Sequence, residues 1–276
     1  MRQAVCNVDS QVWRGADRGR GMRLVPEETA IALTYNGGTY AVMMATPSDL
    51  RDFAVGFSLS EGIVPSPDDI DSLDIVELED GIELRMWLAP SKADLVNERR
   101  RQIAGPTGCG ICGIDSIAAA VRPAAVVPNG RSFSPQEIMA AMQGVAALQQ
   151  INISTRAVHA AAFWLPLQGI VSLREDVGRH NALDKLSGAL AQNRICASEG
   201  IVLLTSRVSV EMVQKTAAMG APLMVAVSAP TALAVRMADA AGITLVGIAR
   251  SDGFEVFTHR GRVAAPVGAR EAADVA

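Results

Sequence analysis

Two cysteines stand two residues apart between glycines in Gly108-Cys109-Gly110-Ile111-Cys112-Gly113. No other residues of the chain are so well suited by type and spacing to chemistry. Glycine adds no side-chain bulk, so a partner can approach both sulfurs closely. Such a pair can bind a metal, exchange disulfides or carry sulfur. The chain has four cysteines in all. Cys6 lies in a poorly patterned N-terminal stretch. Cys196 falls in a turn between a helix and an apolar strand and reads as an ordinary small apolar residue.

Each chemistry makes demands on the rest of the sequence. A zinc site needs about four ligands, at least three of them from protein. A second CxxC is missing, and His159, His180 and His259 are scattered. None of these histidines opens the His-x-Glu element of a zinc deaminase. A reactive dithiol gains acidity from nearby cations or a helix N-terminus. Arg99, Arg100 and Arg101 lie upstream, and a helix is expected over residues 114–121, but the βαβ context of a thioredoxin-like dithiol is weak. A persulfide carrier needs only a thiolate that takes the terminal sulfur from a donor and passes it on. A glycine-rich loop suits a sulfur that visits two partners. From the residues alone, the dithiol oxidoreductase, the sulfur carrier and a non-catalytic nucleotide-cofactor module with CxxC as a clip all stay open.

Further along, Thr205-Ser206-Arg207 and Ser228-Ala229-Pro230-Thr231 each join an apolar strand to a helix. Free N–H groups and the helix dipole make such junctions anion sites, and ligands gather at the carboxyl ends of strands in open α/β sheets. Arg207 offers a forked donor to a phosphate. Simple helix capping by Ser or Thr is the competing reading. Glu175-Asp176-Val177-Gly178-Arg179-His180-Asn181, with Asp184 and Lys185, is either a site wall or a structural ion network. His180 is a candidate proton carrier near pH 7. Phe257-Thr258-His259-Arg260-Gly261-Arg262 is a basic loop with an aromatic, fit to hold a phosphorylated heterocycle or to end the last strand.

These residues must be positioned by a sizeable core. At 276 residues, rich in aliphatics and poor in aromatics, the chain suits an α/β protein. Its net charge of −4 excludes bulk attraction to nucleic acid or an anionic membrane. No apolar run approaches the roughly 20 residues of a membrane helix, and residues 1–20 lack a secretory pattern. A cytoplasmic location is expected. Residues 1–22 read as a loose arm. Residues 31–35 and 39–44 read as a hairpin around Asn36-Gly37. Thr46-Pro47-Ser48-Asp49 reads as a helix start with Thr46 as cap, and the helix ends at Gly62. Residues 75–79 and 82–87 form a second strand pair within an acidic stretch. Ser134-Pro135-Gln136-Glu137 opens a helix through a capping box. From residue 200, apolar strands alternate with helices, which implies a parallel or mixed sheet covered by helices. The organisation expected is a β-rich domain over 23–125, ending in the cysteine loop, and an α/β domain over 126–276.

Taken together, Thr107–Gly113, Glu175–Lys185, Thr205-Ser206-Arg207 with Glu211-Met212, and Ser228–Thr231 resemble the formate dehydrogenase accessory sulfurtransferases, the FdhD-like sulfur carrier proteins. Thr46-Pro47 through Phe57 and Ser60-Glu61-Gly62 share the likeness, which runs from about residue 23 to 262. The resemblance implies a three-layer, cytidine-deaminase-like α/β fold with a mixed sheet in the C-terminal part, without the deaminase zinc, and a homodimer. It implies that sulfur is accepted from a cysteine desulfurase onto Cys109, with Cys112 as the second cysteine of the motif. It implies delivery to a molybdenum or tungsten bis-molybdopterin guanine dinucleotide cofactor for formate dehydrogenase. The cofactor-binding segment of the family matches Phe257 to Arg262. Two pyrophosphates and two guanines on that cofactor fit the paired junctions with Arg207 and Arg262.

Overall fold

The computed structural model describes residues 2–89 and 122–264. The cysteine loop, the helix expected over 114–121 and residues 265–276 lie outside the described residues.

The first 22 residues are not the unpatterned arm their sequence suggests. β1 (Val5–Arg14) and β2 (Asp17–Pro26) pair antiparallel along their whole length, from Val5↔Pro26 to Arg14↔Asp17. Gly15, at φ 65°, makes the turn. Apolar and polar residues fail to alternate because neither face of most of this ribbon packs on a core.

The next unit follows its sequence closely. β3 (Thr29–Tyr35) and β4 (Gly38–Ala45) flank Asn36-Gly37, both at positive φ, as this dipeptide requires in a tight hairpin. β5 (Ile70–Glu77) and β6 (Gly81–Leu88) complete a sheet of order β4-β3-β6-β5. Helix α1 (Leu50–Ser60) covers one face, burying Phe53 and Phe57 against Ile31, Leu33, Leu84 and Met86. Thr46 does not cap α1. The N-cap is Asp49, left-handed at φ 52° and without a side-chain cap bond. The polar groups of Thr46 are committed elsewhere, to residues 130 positions and more away.

The C-terminal part is a three-layer α/β sandwich. Its helices are α2 (Pro135–Leu148), α3 (Gln150–Thr155), α4 (Arg179–Gln192), α5 (Val210–Ala218) and α6 (Ala232–Ala240). Its strands are β7 (His159–Leu165), β8 (Gly169–Asp176), β9 (Ile201–Leu204), β10 (Leu223–Ala226), β11 (Thr244–Arg250) and β12 (Gly253–Val256). They form a mixed sheet of order β12-β11-β10-β9-β7-β8, parallel only across β9, β10 and β11. Alternation along the strands sorts the two cores. Val202, Leu204, Met224 and Ala226 face α4, α5 and α6. Ile201, Leu203, Leu223 and Val225 face α2. The capping box of α2 is made: Ser134 Oγ accepts from Glu137 N and the Glu137 carboxylate accepts from Ser134 N.

The two parts meet where α1 crosses α4. A Cβ on Gly56 would lie 1.7 Å from Asp184 O, and one on Gly188 would lie 1.9 Å from Asp52 O. The helices touch backbone to backbone because these two positions lack side chains.

Candidate functional site

The parallel strands β9 and β10 end side by side, and their junctions are stitched together. Val227 N donates to Leu204 O at 3.0 Å, Val208 N to Ala229 O at 3.4 Å and Thr231 N to Val208 O at 3.0 Å. Thr205, Ser206, Arg207, Ser228 and Thr231 therefore share one edge of the sheet, as the sequence predicts. Some of their hydroxyls already have structural partners. Thr205 Oγ1 accepts from Ala160 N at 2.8 Å, tying β9 to β7. Thr231 Oγ1 accepts from Ala234 N at 3.2 Å, capping α6. Ser206 Oγ donates to Arg207 O, and Arg207 is exposed. Phe257 joins this edge from the side. A Cβ on Gly247 would meet its ring and Pro230 at 3.0 Å each, and Ser228 O at 3.3 Å.

His180 enters from the start of α4. Its Nε2 lies 3.9 Å from the Glu211 carboxylate on the first turn of α5. The N-termini of α4 and α5 thus converge beside the first junction. Burial pushes the imidazole pKa down to about 4, and Arg179 and Lys215 push the same way. The ring is neutral at pH 7. This corrects the expectation of a proton carrier titrating there: at neutral pH His180 acts as a neutral donor or acceptor. Among the described residues, His180 Nε2, Arg179 Nε and Ser209 Oγ are buried without a hydrogen-bond partner. Ser209 is the N-cap of α5 yet makes no side-chain cap bond. All three atoms belong to this edge. Sequence reading passed over Ser209 as a site residue, and took Arg179 only as a member of the Glu175–Lys185 cluster.

The basic loop after β12 is placed differently. β12 runs antiparallel to β11 and returns the chain to the amino ends of the parallel strands. There Thr258 Oγ1 donates to Ile243 O at 2.6 Å and accepts from Leu245 N at 2.9 Å. Arg262 Nη1 donates to Gly242 O at 2.7 Å and to Thr244 Oγ1 at 3.0 Å. Thr258 and Arg262 hold the loop in shape. His259, left-handed at φ 44°, sets its Nε2 2.8 Å from Asp239 O, while Arg260 and Gly261 are exposed. Within one chain, the segment 258–262 and the two junctions lie on opposite edges, roughly 15 Å apart along β10.

The acidic and basic cluster over 174–185 proves to be a joint between the two parts of the molecule. Asp176 is fully buried. Its carboxylate accepts from Lys185 Nζ at 2.7 Å, Gly178 N at 2.7 Å, Thr46 N at 3.0 Å and Asn181 Nδ2 at 3.0 Å. Lys185 Nζ also donates to Thr46 O, and Val177 N to Thr46 Oγ1. Glu175 caps α3 by accepting from Ile151 N and Asn152 N. Asp184 accepts from Ser60 Oγ at 2.6 Å and Lys215 Nζ at 2.9 Å, and Lys215 reaches Glu61 at 3.1 Å. Burial works against the Lys215 ammonium, but Asp184 and Glu61 outweigh it and hold its pKa above the ordinary value. Among the described residues, no group of three or more His, Cys, Asp or Glu is placed to hold a metal ion. Cys109 and Cys112 lie outside the described residues.

Residues 26–264 match the model of the FdhD/NarQ family. The chain belongs to that family. Among curated relatives, the sulfur carrier protein FdhD of Agrobacterium fabrum is 51% identical over 247 residues, covering 88% of this chain and 90% of its own. The sulfur carrier protein FdhD of Cupriavidus necator is 49% identical over 252 residues, covering 91% and 87%. A solved structure, described as that of a formate dehydrogenase accessory protein from Desulfotalea psychrophila, superposes with a TM-score of 0.73 at 23% identity. It covers 95% of this chain and all of its own. At that identity the likeness speaks for the fold, and the mixed α/β architecture expected from the sequence is the one observed.

Proposed function

We propose that this protein is a sulfur carrier that takes a persulfide sulfur onto Cys109 and delivers it to a molybdenum or tungsten bis-molybdopterin guanine dinucleotide, for use by formate dehydrogenase. The observation that carries this reading is the likeness, at about half identity over nine-tenths of the chain, to proteins named sulfur carriers. In the loading step the Cys109 thiolate attacks the terminal sulfur of a persulfide on a cysteine desulfurase. A new S–S bond forms at Cys109, the donor's S–S bond breaks and the donor cysteine leaves as thiolate. The exchange needs no oxidant. In delivery the bond between Cys109 and the outer sulfur breaks, Cys109 leaves as thiolate and the sulfur would pass as a neutral atom to the metal of the cofactor, which in its reduced state would supply the two electrons that make it a sulfide.

The carboxyl edge of the sheet suits a substrate that carries pyrophosphates. Among the described residues, Arg179 Nε–H and the Ser209 hydroxyl are buried donors without partners, and His180 is a neutral ring beside them. Donors of this kind match phosphate oxygens. Ser206, Arg207, Ser228 and Phe257 complete that edge, while Thr205 and Thr231 keep it in shape. Arg260 and Gly261 are the exposed part of the basic loop that would meet a guanine nucleotide, with Thr258, Arg262 and His259, whose Nε2 lies 2.8 Å from Asp239 O, anchoring them. A homodimer offers each edge twice, once per nucleotide. Cys112 serves as the second cysteine of the carrier loop, and the protein works in the cytoplasm. No helix among the described residues is long and apolar enough to cross a membrane.

Complementation tests the reading. In a strain lacking its own carrier, the wild-type chain restores formate dehydrogenase activity and Cys109→Ala does not. Full activity with Cys109→Ala would overturn the persulfide route. Equal loss from Cys109→Ala and Cys112→Ala, with a reversible disulfide between them, would favour a dithiol oxidoreductase.

A further inference from the structure

We propose that the N-terminal ribbon is an arm that docks, in a second copy of the chain, on the face of the β4-β3-β6-β5 sheet that none of the described elements covers. The inference deepens the homodimer of the proposed function by naming its contact. All but the last residue of the ribbon precede residue 26, where the family match begins.

The ribbon is anomalous as a free element. It is a two-stranded sheet of ten residues a side, joined by no third strand among the described residues. It extends about 30 Å at the usual rise per residue. A lone hairpin is marginal in water, and open strand edges invite pairing. Among the described residues, the hydrogen bonds that tie it to the rest of the chain lie at its base, from Arg23 to Thr155 O and from Arg2 to Leu78 O and Glu79 O.

One face of the ribbon is built like a contact surface. The register places Trp13 opposite Arg18, Gln11 opposite Arg20 and Asp9 opposite Met22. Trp13 is 60% exposed and Met22 64%. The Arg18 guanidinium lies 5.9 Å over the Trp13 ring. Trp, Met and Arg are the side chains enriched in buried interfaces. On this face the register gathers Arg18 and Arg20 against the single acid Asp9, a local excess of positive charge on an acidic protein.

The complementary surface is on the same chain. α1 covers one face of the four-stranded sheet, and the register puts Val42, Met44, Glu83, Arg85, Trp87 and Asp74 on the other. Trp87, Val42 and Met44 are each more than 40% exposed. From Asp68 to Leu88 this region carries eight carboxylates and one arginine. Hydrogen bonding to Arg85 outweighs burial and holds the Glu83 carboxyl below the usual carboxylate range, so it is charged at neutral pH. An apolar centre with a basic rim on the ribbon thus faces an apolar centre with an acidic rim on the sheet. Two-fold exchange lets each copy give one and receive the other, which closes the pair.

The test uses the full chain with Trp13→p-benzoyl-L-phenylalanine, irradiated as a mixture of light and heavy isotope-labelled protein. The expected result is cross-linked peptides of mixed label joining position 13 to residues 70–88. In parallel, Arg18→Glu with Arg20→Glu is expected to weaken self-association at least tenfold by sedimentation, while sulfur loading of Cys109 is unchanged. Cross-links within one chain only, or to another region or another protein, would overturn the proposal, as would undiminished self-association of the charge-reversed variant. A dimer that persists in that variant removes the ribbon contact and leaves the sulfur carrier reading standing.

Discussion

At His180, burial and charge act in the same direction. The folded pKa falls to about 4, below the unfolded value near 6.5. The unfolded chain therefore takes up the proton first as the pH drops. Stability is lost between about pH 6.5 and 4 and is level below that, for a total of about 3 kcal/mol. His180→Gln should flatten this part of the urea-denaturation profile, and an unchanged slope would contradict the assignment. Lys185 and Asp176 make a fully buried ion pair at 2.7 Å. Lys185→Met leaves the Asp176 carboxylate buried without its cation, and chemical denaturation should show a loss of about 3–5 kcal/mol. The sequence exposed the charged residues of this cluster but not their roles. Thr46, Ser60 and Lys215, which complete the network, lie far away in the chain and carry no local mark of their partners.

Among the elements, the crossing of α1 and α4 depends most directly on single residues. Glycine weakens a helix by about 1 kcal/mol relative to alanine, so Gly56→Ala and Gly188→Ala would help isolated helices. In the fold, each added methyl would meet backbone closer than 2 Å. A net loss of about 2–3 kcal/mol in thermal or urea unfolding is expected for either. Gly261→Ala, with open space around its Cβ and no positive φ, should stay within about 0.5 kcal/mol of wild type. Element by element, the sequence was readable wherever a local signal agreed with the tertiary contacts. Asn36-Gly37 and the Ser134–Glu137 capping box are such cases. It misled at Thr46, whose capping groups are drawn into a buried network, and in the N-terminal ribbon, where no core imposes alternation.

For the whole molecule, strand direction decides which candidate residues meet. The apolar runs of β9 and β10 pointed to a parallel or mixed sheet, and their parallel pairing sets Thr205–Arg207 beside Ser228–Thr231 on one edge. Nothing in the four residues of β12 told its direction, and its antiparallel return carries Thr258–Arg262 to the far edge. The joint network and the ribbon then set how the two parts of one chain, and by our proposal two chains, are held. In the function we propose, this scaffold carries one sulfur on Cys109. Mass spectrometry after incubation with a cysteine desulfurase and cysteine tests it most directly. The predicted result is a gain of one sulfur atom on the peptide containing Cys109, released by cyanide as thiocyanate and absent from Cys109→Ala. A sulfur adduct that persists in Cys109→Ala, or no adduct on the wild-type chain under loading conditions, would contradict it.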